Sequence, residues 1–195
     1  MSETSASLLE RLREQPDGEA WHRLVDLYSP LLRQWLAGYG LQASDVDDLT
    51  QEVLAVVVRE LPQFQHNQRA GAFRRWLRTI MVNRLRGFWR ARQTRPQATG
   101  DSDLGRILSE LEDPQSALSR QWDLEHDRQV MARLLELVQP QVAPATWQAF
   151  RRVVLEGQSE ESAAAELGLS VNAVFIAKSR VLARLRREAW ELIDL

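Results

Sequence analysis

The run Phe73-Arg74-Arg75-Trp76-Leu77-Arg78-Thr79-Ile80-Met81-Val82-Asn83-Arg84-Leu85-Arg86-Gly87-Phe88-Trp89-Arg90-Ala91-Arg92 decides how the rest of the chain is read. Phe73, Trp76, Leu77, Ile80 and Met81 recur at helical spacing and predict the core side of a long helix from Gly71 or Ala72 to about Thr94. Trp76 shares the Phe73 and Ile80 face and is assigned to that core. Beyond Asn83 the apolar spacing weakens and Arg84, Arg86, Arg90 and Arg92 dominate. The wider stretch Leu61–Gly100 holds nine arginines and no Asp or Glu, with Phe73, Trp76, Phe88 and Trp89 interleaved. A basic helix without compensating acids, carrying aromatics, predicts a surface for a polyanion.

Outward from this belt the charge reverses. Residues 1–60 carry 5 arginines against 11 acids, and residues 101–127 carry 2 against 8. Residues 128–195 hold 9 basic and 8 acidic groups, and the whole 195-residue chain has a formal net charge of -2. Such polarity predicts different partners for different segments. The basic groups are 24 arginines and the single Lys178. Cysteine is absent, which excludes disulfides and cysteine metal sites and fits a reducing cytoplasm. His22, His66 and His126 are scattered and the carboxylates show no ligand spacing, so no metal, cofactor or catalytic set is expected. Met1–Ser7 is polar, with no secretory pattern, and no apolar run approaches the roughly 20 residues of a membrane span.

Apolar residues recur at helical spacing throughout, predicting an all-α chain of two small domains joined by a linker, the second a four-helix domain built on a helix-turn-helix. The expected bounds are 1–95, a linker at 96–115, and 116–195. A first helix runs from Ser5 to about Glu14 with Leu8, Leu9 and Leu12 on one face. The second spans Gly18 to about Tyr39, bent or broken at Pro30. The third opens at Ser44, which forms an approximate capping box with Asp47, and stops at Pro62. Its stripe Val46, Leu49, Val53, Val56 and Val57 faces inward, leaving Asp45, Asp48, Gln51 and Glu52 outside. A polar loop, Phe64 to Ala70, precedes the basic helix. A weak helix at 104–111 fits within the linker. Helices then run from Ser116 to Pro140 and from Pro144 to Gly157, the latter with Trp147, Phe150, Val153, Val154 and Leu155 inward. Ser159 and Ser170 cap a short and a long helix around the turn Gly168-Leu169. Leu167, Leu169, Val171 and Val174 are expected to form their shared core.

Asp45-Val46-Asp47-Asp48-Leu49-Thr50-Gln51-Glu52-Val53-Leu54 resembles the acidic helix of bacterial sigma factors. Phe73-Arg74-Arg75-Trp76-Leu77-Arg78-Thr79-Ile80, followed by Asn83, resembles the helix with which that family melts and reads promoter DNA. Glu166-Leu167-Gly168-Leu169-Ser170 with Ala173-Val174 resembles the turn of its second DNA-binding domain. The size and layout are similar to the extracytoplasmic-function group. The resemblance implies a non-enzymatic, cytoplasmic specificity subunit whose partners are core RNA polymerase, promoter DNA and an anti-sigma factor. It implies that Asp47, Asp48, Gln51 and Glu52 dock on the clamp helices of the polymerase's largest catalytic subunit. For the minus-ten element it implies Asn67 in a loop that captures a flipped base, together with Arg74, Arg75, Arg78, Asn83, Arg84, Arg86, Trp89 and Arg90. For the minus-thirty-five element it implies Ser170, Asn172, Phe175, Lys178, Ser179 and Arg180. Two departures stand out. Gly87 replaces a frequent acid, and Phe175 and Ala177 stand where the family usually has Lys or Arg. A helix-turn-helix regulator acting without polymerase, or a sigma-like adaptor that binds only protein, would share parts of this pattern. The plain regulator has no need of the Asp47–Glu52 surface.

Overall fold

The computed structural model describes residues 18–64, 71–93 and 101–189, together with Leu8, Leu9 and Leu12. Eight α-helices fill the described residues, which contain no strand. They are α1 (Gly18–Ala37), α2 (Ala43–Glu60), α3 (Ala72–Gln93), α4 (Asp101–Glu112), α5 (Ala117–Val138), α6 (Pro144–Phe150), α7 (Glu160–Leu167) and α8 (Val171–Ala189). The all-α expectation holds. Leu8, Leu9 and Leu12 are helical and buried; the remainder of the expected first helix lies outside the described residues.

The chain divides into two compact units, Met1–Val130 and Met131–Trp190, with the border inside α5. The expected linker therefore looks different here. Residues 101–112 are helical, α4 packs on α3, and Leu108 and Leu111 are buried. Burial of Leu108 and Leu111 extends the weak helix expected at 104–111 to a full α4.

In the first unit α1 packs on α2, α2 on α3, and α3 on α4. Leu24, Leu27, Tyr28, Leu31, Leu32 and Leu36 of α1 are buried, as is the expected α2 stripe Val46, Leu49, Val53, Val56 and Val57. The front of α5 adds Trp122, fully buried and edge-on to Trp35 at 4.7 Å. Pro30 neither ends nor divides α1. Both Pro30 and Asp26, whose carbonyl loses its partner, face solvent, so water can replace the missing bond. The α2 start also differs from expectation. Gln42 occupies the N-cap without a side-chain bond, and its carbonyl accepts from the Val46 N–H at 3.0 Å. Ser44 thus sits inside the first turn. Gly87 leaves α3 unbroken.

In the second unit α6 leads into a π-helical turn, Arg151–Leu155. The wider turn rotates the following side chains, which leaves Val154 and Leu155 exposed instead of inward. Ser159 caps α7 by accepting from the Ser162 N–H, and Gly168 ends that helix at φ 64°. The left-handed conformation explains a glycine there. The α7–α8 core is made by Ala149, Ala163, Ala164, Val174 and Ala177, with Leu167 half-buried beside them. Leu169 and Val171, expected in this core, are exposed. Small alanines bring the helices too close for the turn residues to insert.

Candidate polymerase and DNA-binding surfaces

The outer face of α2 is acidic, and its carboxylates differ in their partners. Asp45 is paired with Arg92 of α3 at 3.0 Å, and Asp47 with Arg33 of α1 at 3.0 Å. Asp48, Gln51 and Glu52 are exposed, and among the described residues Asp48 and Glu52 carry no ion pair. Asp48 and Glu52 lie four apart on one face, where like charges cost a helix about 0.2–0.5 kcal/mol. A cationic partner outside the unit would relieve that repulsion.

The arginines of α3 fall into two sets. Arg74 and Arg78, four apart, face Asp123 and Asp127, four apart on the front of α5. Arg74 Nε lies 3.1 Å from Asp123 and its Nη1 2.6 Å from Asp127. Arg78 donates from Nη1 to Asp123 at 3.0 Å and to the Ser119 carbonyl at 3.1 Å. Both guanidiniums are buried. The expectation placed them on the phosphate-facing surface, whereas the structure turns them inward onto carboxylates. The acid excess of residues 101–127 was the sequence signal for this pairing. Gly71 permits it: at φ 67°, a Cβ there would lie 2.7 Å from the Arg74 guanidinium.

The set beyond Asn83 is more open. Arg86 pairs with Glu112 of α4 at 2.6 Å, and Arg92, besides Asp45, lies 5.0 Å from the Phe88 ring centroid. Arg84 is half-buried and Arg90 exposed, and neither has an ion pair among the described residues. Arg75 and Asn83 are also exposed. Trp89 is half-buried, edge-on to Phe88 at 5.5 Å.

Beneath the Arg74 cluster lies a buried polar group. His126 is fully buried, 5.7 Å from the Tyr28 ring, and its Nδ1 donates to Asp127 at 3.0 Å. Burial holds His126 below the ordinary histidine range, which keeps it neutral. Burial alone would raise Asp127, but hydrogen bonds from His126 and Arg74 and the Arg74 charge outweigh it and hold the carboxyl low. Burial pushes the Tyr28 hydroxyl well above its usual range.

An open concavity of about 440 Å³ is lined by Arg59, Glu60, Gln63, Phe64 and Trp76. Phe64 and Trp76 stand 4.7 Å apart at 30°, and Trp76 meets Phe73 at 5.6 Å. Trp76 is half-buried here, not sealed in the core. Asn67 and the rest of loop 65–70 lie outside the described residues; Phe64 opens that loop. Arg59, Gln63 and Phe64 went unsuspected in the sequence, although an aromatic directly before an amide-rich loop was a usable signal.

In the second unit Ser170 caps α8, accepting from the Ala173 N–H at 3.1 Å. Asn172, Phe175 and Arg180 are exposed and Ser179 is half-buried. Lys178 is drawn to Glu160 of α7 in an ion pair. Ala177 is buried in the α7–α8 core, so a long cation there would have to leave it. Among the described residues no group of three His, Cys, Asp or Glu side chains is placed to hold a metal. No described helix is long and apolar enough to cross a membrane.

An outward acidic helix, a neighbouring arginine helix and a separate helix-turn-helix define a transcription-initiation factor that handles both protein and DNA. Residues 24–95 match the family described as sigma-70 region 2. The chain is 30% identical over 179 residues to the RNA polymerase sigma factor NccH of Alcaligenes xylosoxydans xylosoxydans, covering 91% of this chain and 90% of that protein. It is 27% identical over 161 residues to the RNA polymerase sigma factor CnrH of Cupriavidus metallidurans, covering 80% and 78%. The chain belongs to the sigma factors of RNA polymerase, in the extracytoplasmic-function group. It is accordingly non-enzymatic, and its partners are core RNA polymerase and promoter DNA.

Proposed function

We propose that this sigma factor acts in the cytoplasm, directing core polymerase to chosen promoters and opening their minus-ten element. The observation that carries the reading is the exposed acidic face Asp48, Gln51 and Glu52 on α2, whose carboxylates have no ion pair among the described residues, in the same unit as the exposed arginines of α3. That face, with Asp47 beside it, docks on the polymerase clamp. Docking would exchange the Asp47–Arg33 pair for an intermolecular one at little cost, since both groups are about half exposed. The first unit handles polymerase and the minus-ten element, and the second the minus-thirty-five element through α8. Ser170 serves there by capping α8, and Asn172, Phe175, Lys178, Ser179 and Arg180 supply its outward groups.

The α3 roles divide. Arg75, Arg84 and Arg90 hold phosphates, Asn83 and Trp89 contact the melted strand, and Arg86 joins them by releasing Glu112. Arg74 and Arg78 act indirectly, fixing α3 against α5. The Phe64–Trp76 concavity offers aromatic walls, beside the loop that holds Asn67, for an unstacked base. An anti-sigma factor would control the protein by covering the α2 and α8 faces.

Run-off transcription with core polymerase, with and without the protein, tests the reading. Promoter-specific starts that need both support it. Tight core binding without any specific start would favour a protein-binding adaptor. Duplex binding that needs no core would favour a conventional helix-turn-helix regulator.

A further inference from the structure

The outward face of α8 changes chemistry along its length. Val171, Asn172, Phe175, Ile176 and Arg180 are exposed on it, while Val174, Ala177, Val181 and Leu185 turn to the core. Phe175 is 50% exposed, Val171 42% and Ile176 40%, and together they form an exposed apolar patch at the front of the helix, where no cation precedes Lys178. The first cation along the helix, Lys178, is tied to Glu160 and sits 5.3 Å from the Phe175 ring centroid. The front of the face is therefore apolar with one amide. Its rear carries the exposed Arg180, Arg186 and Arg187, while Arg184 is half-buried and donates to Gln141.

This gradient matches the major groove. The early residues of a second helix in a helix-turn-helix meet base edges, and its end meets the backbone. Guanine presents only acceptors there, which need a donor such as Arg or Lys. Thymine presents a C5-methyl, the group an apolar side chain can pack on, and adenine presents the N6/N7 pair that fits an amide. We propose that the front of α8 reads an A·T-rich upstream element, packing Val171, Phe175 and Ile176 on thymine methyls with Asn172 placed for adenine. The rear arginines hold the flanking phosphates, and that charge favours DNA over a protein as occupant of the face. The inference rests on the reading of the chain as a promoter-directing sigma factor and specifies what its second unit recognises.

The test uses the full-length protein with core polymerase and a duplex library randomised through the upstream region. Enriched duplexes are then remade with deoxyuridine for each thymine, a change that removes only the methyl. The expected result is an A·T-rich segment in which each contacted methyl, once removed, weakens binding about three- to fourfold. Phe175→Ala should abolish the deoxyuridine effect at the thymine that Phe175 contacts while leaving those at the Val171 and Ile176 contacts, and Phe175→Leu should keep part of the Phe175 effect. Phe175 is exposed, so neither variant threatens the fold, which thermal melting confirms. Enrichment of G·C pairs, or indifference to deoxyuridine, would overturn the proposal. Loss of core-dependent starts would instead count against the sigma-factor reading. The deoxyuridine comparison on duplexes retained by the protein alone would then still decide the methyl contact. A protein that enriches no upstream sequence in either format would assign the face to a protein partner and overturn the proposal as well.

Discussion

Both ends of α3 are rich in arginine, yet arginines at the two ends meet opposite surroundings. Before Asn83, Arg74 and Arg78 are buried and held by Asp123 and Asp127. After Asn83, Arg84 and Arg90 stand without an ion pair among the described residues. An arginine-rich helix is thus not one electrostatic object. A buried guanidinium already neutralised by carboxylates has lost most of its attraction for phosphate, and its removal leaves a charge stranded in the interior. An exposed one gives little to the fold and is available to a polyanion.

The comparison breaks first on stability. Asp123→Ala takes a carboxylate from both Arg74 and Arg78 and should cost about 3 kcal/mol in urea unfolding. Arg84→Ala should stay within about 0.5 kcal/mol. Equal losses for the two variants would erase the distinction. On DNA the order reverses. Arg84→Ala combined with Arg90→Ala should lower the slope of log K against log salt for holoenzyme–promoter binding by about 2, close to 0.9 for each phosphate contact. An unmoved slope would place those arginines elsewhere.

A third difference is pH dependence, which the inner end of α3 should show and the outer end should not. His126 stays neutral in the fold because burial holds it below the ordinary histidine range. The unfolded chain takes up that proton near pH ~6.5. Stability should therefore begin to fall as pH drops through the ordinary histidine range. Asp127, held low, contributes fully above the ordinary carboxylate range and loses that contribution only as pH falls through its lowered value. Urea midpoints measured from neutral to acid pH should show both stages, and His126→Phe should remove the upper one. A small stabilisation is expected at Gly87, where a Cβ would meet nothing within 4 Å. Gly87→Ala should stabilise α3 by about 0.8 kcal/mol without changing the salt slope.

Helix content was legible because the apolar residues of α1, α2 and α3 recur at one period and bury as that period demands. The cap and turn of the helix-turn-helix were legible because Ser159, Gly168 and Ser170 act locally. The fates of Arg74 and Arg78 were not, since they depend on α5 more than 40 positions away, and composition alone cannot pair distant charges. The exposure of Val154 and Leu155 was hidden for another reason. A π turn adds a residue to the helical repeat, and no residue type announces it.

Together with core polymerase, the protein is proposed to open the minus-ten region of its promoters. Permanganate reactivity of thymines on a promoter mapped by its transcription start reads this directly. Unpaired thymines should appear near minus ten only when core and protein are both present, and should vanish with Asp48→Lys combined with Glu52→Lys. Reactivity that is absent with both components, or that persists at full strength in the charge-reversed variant, would contradict the account.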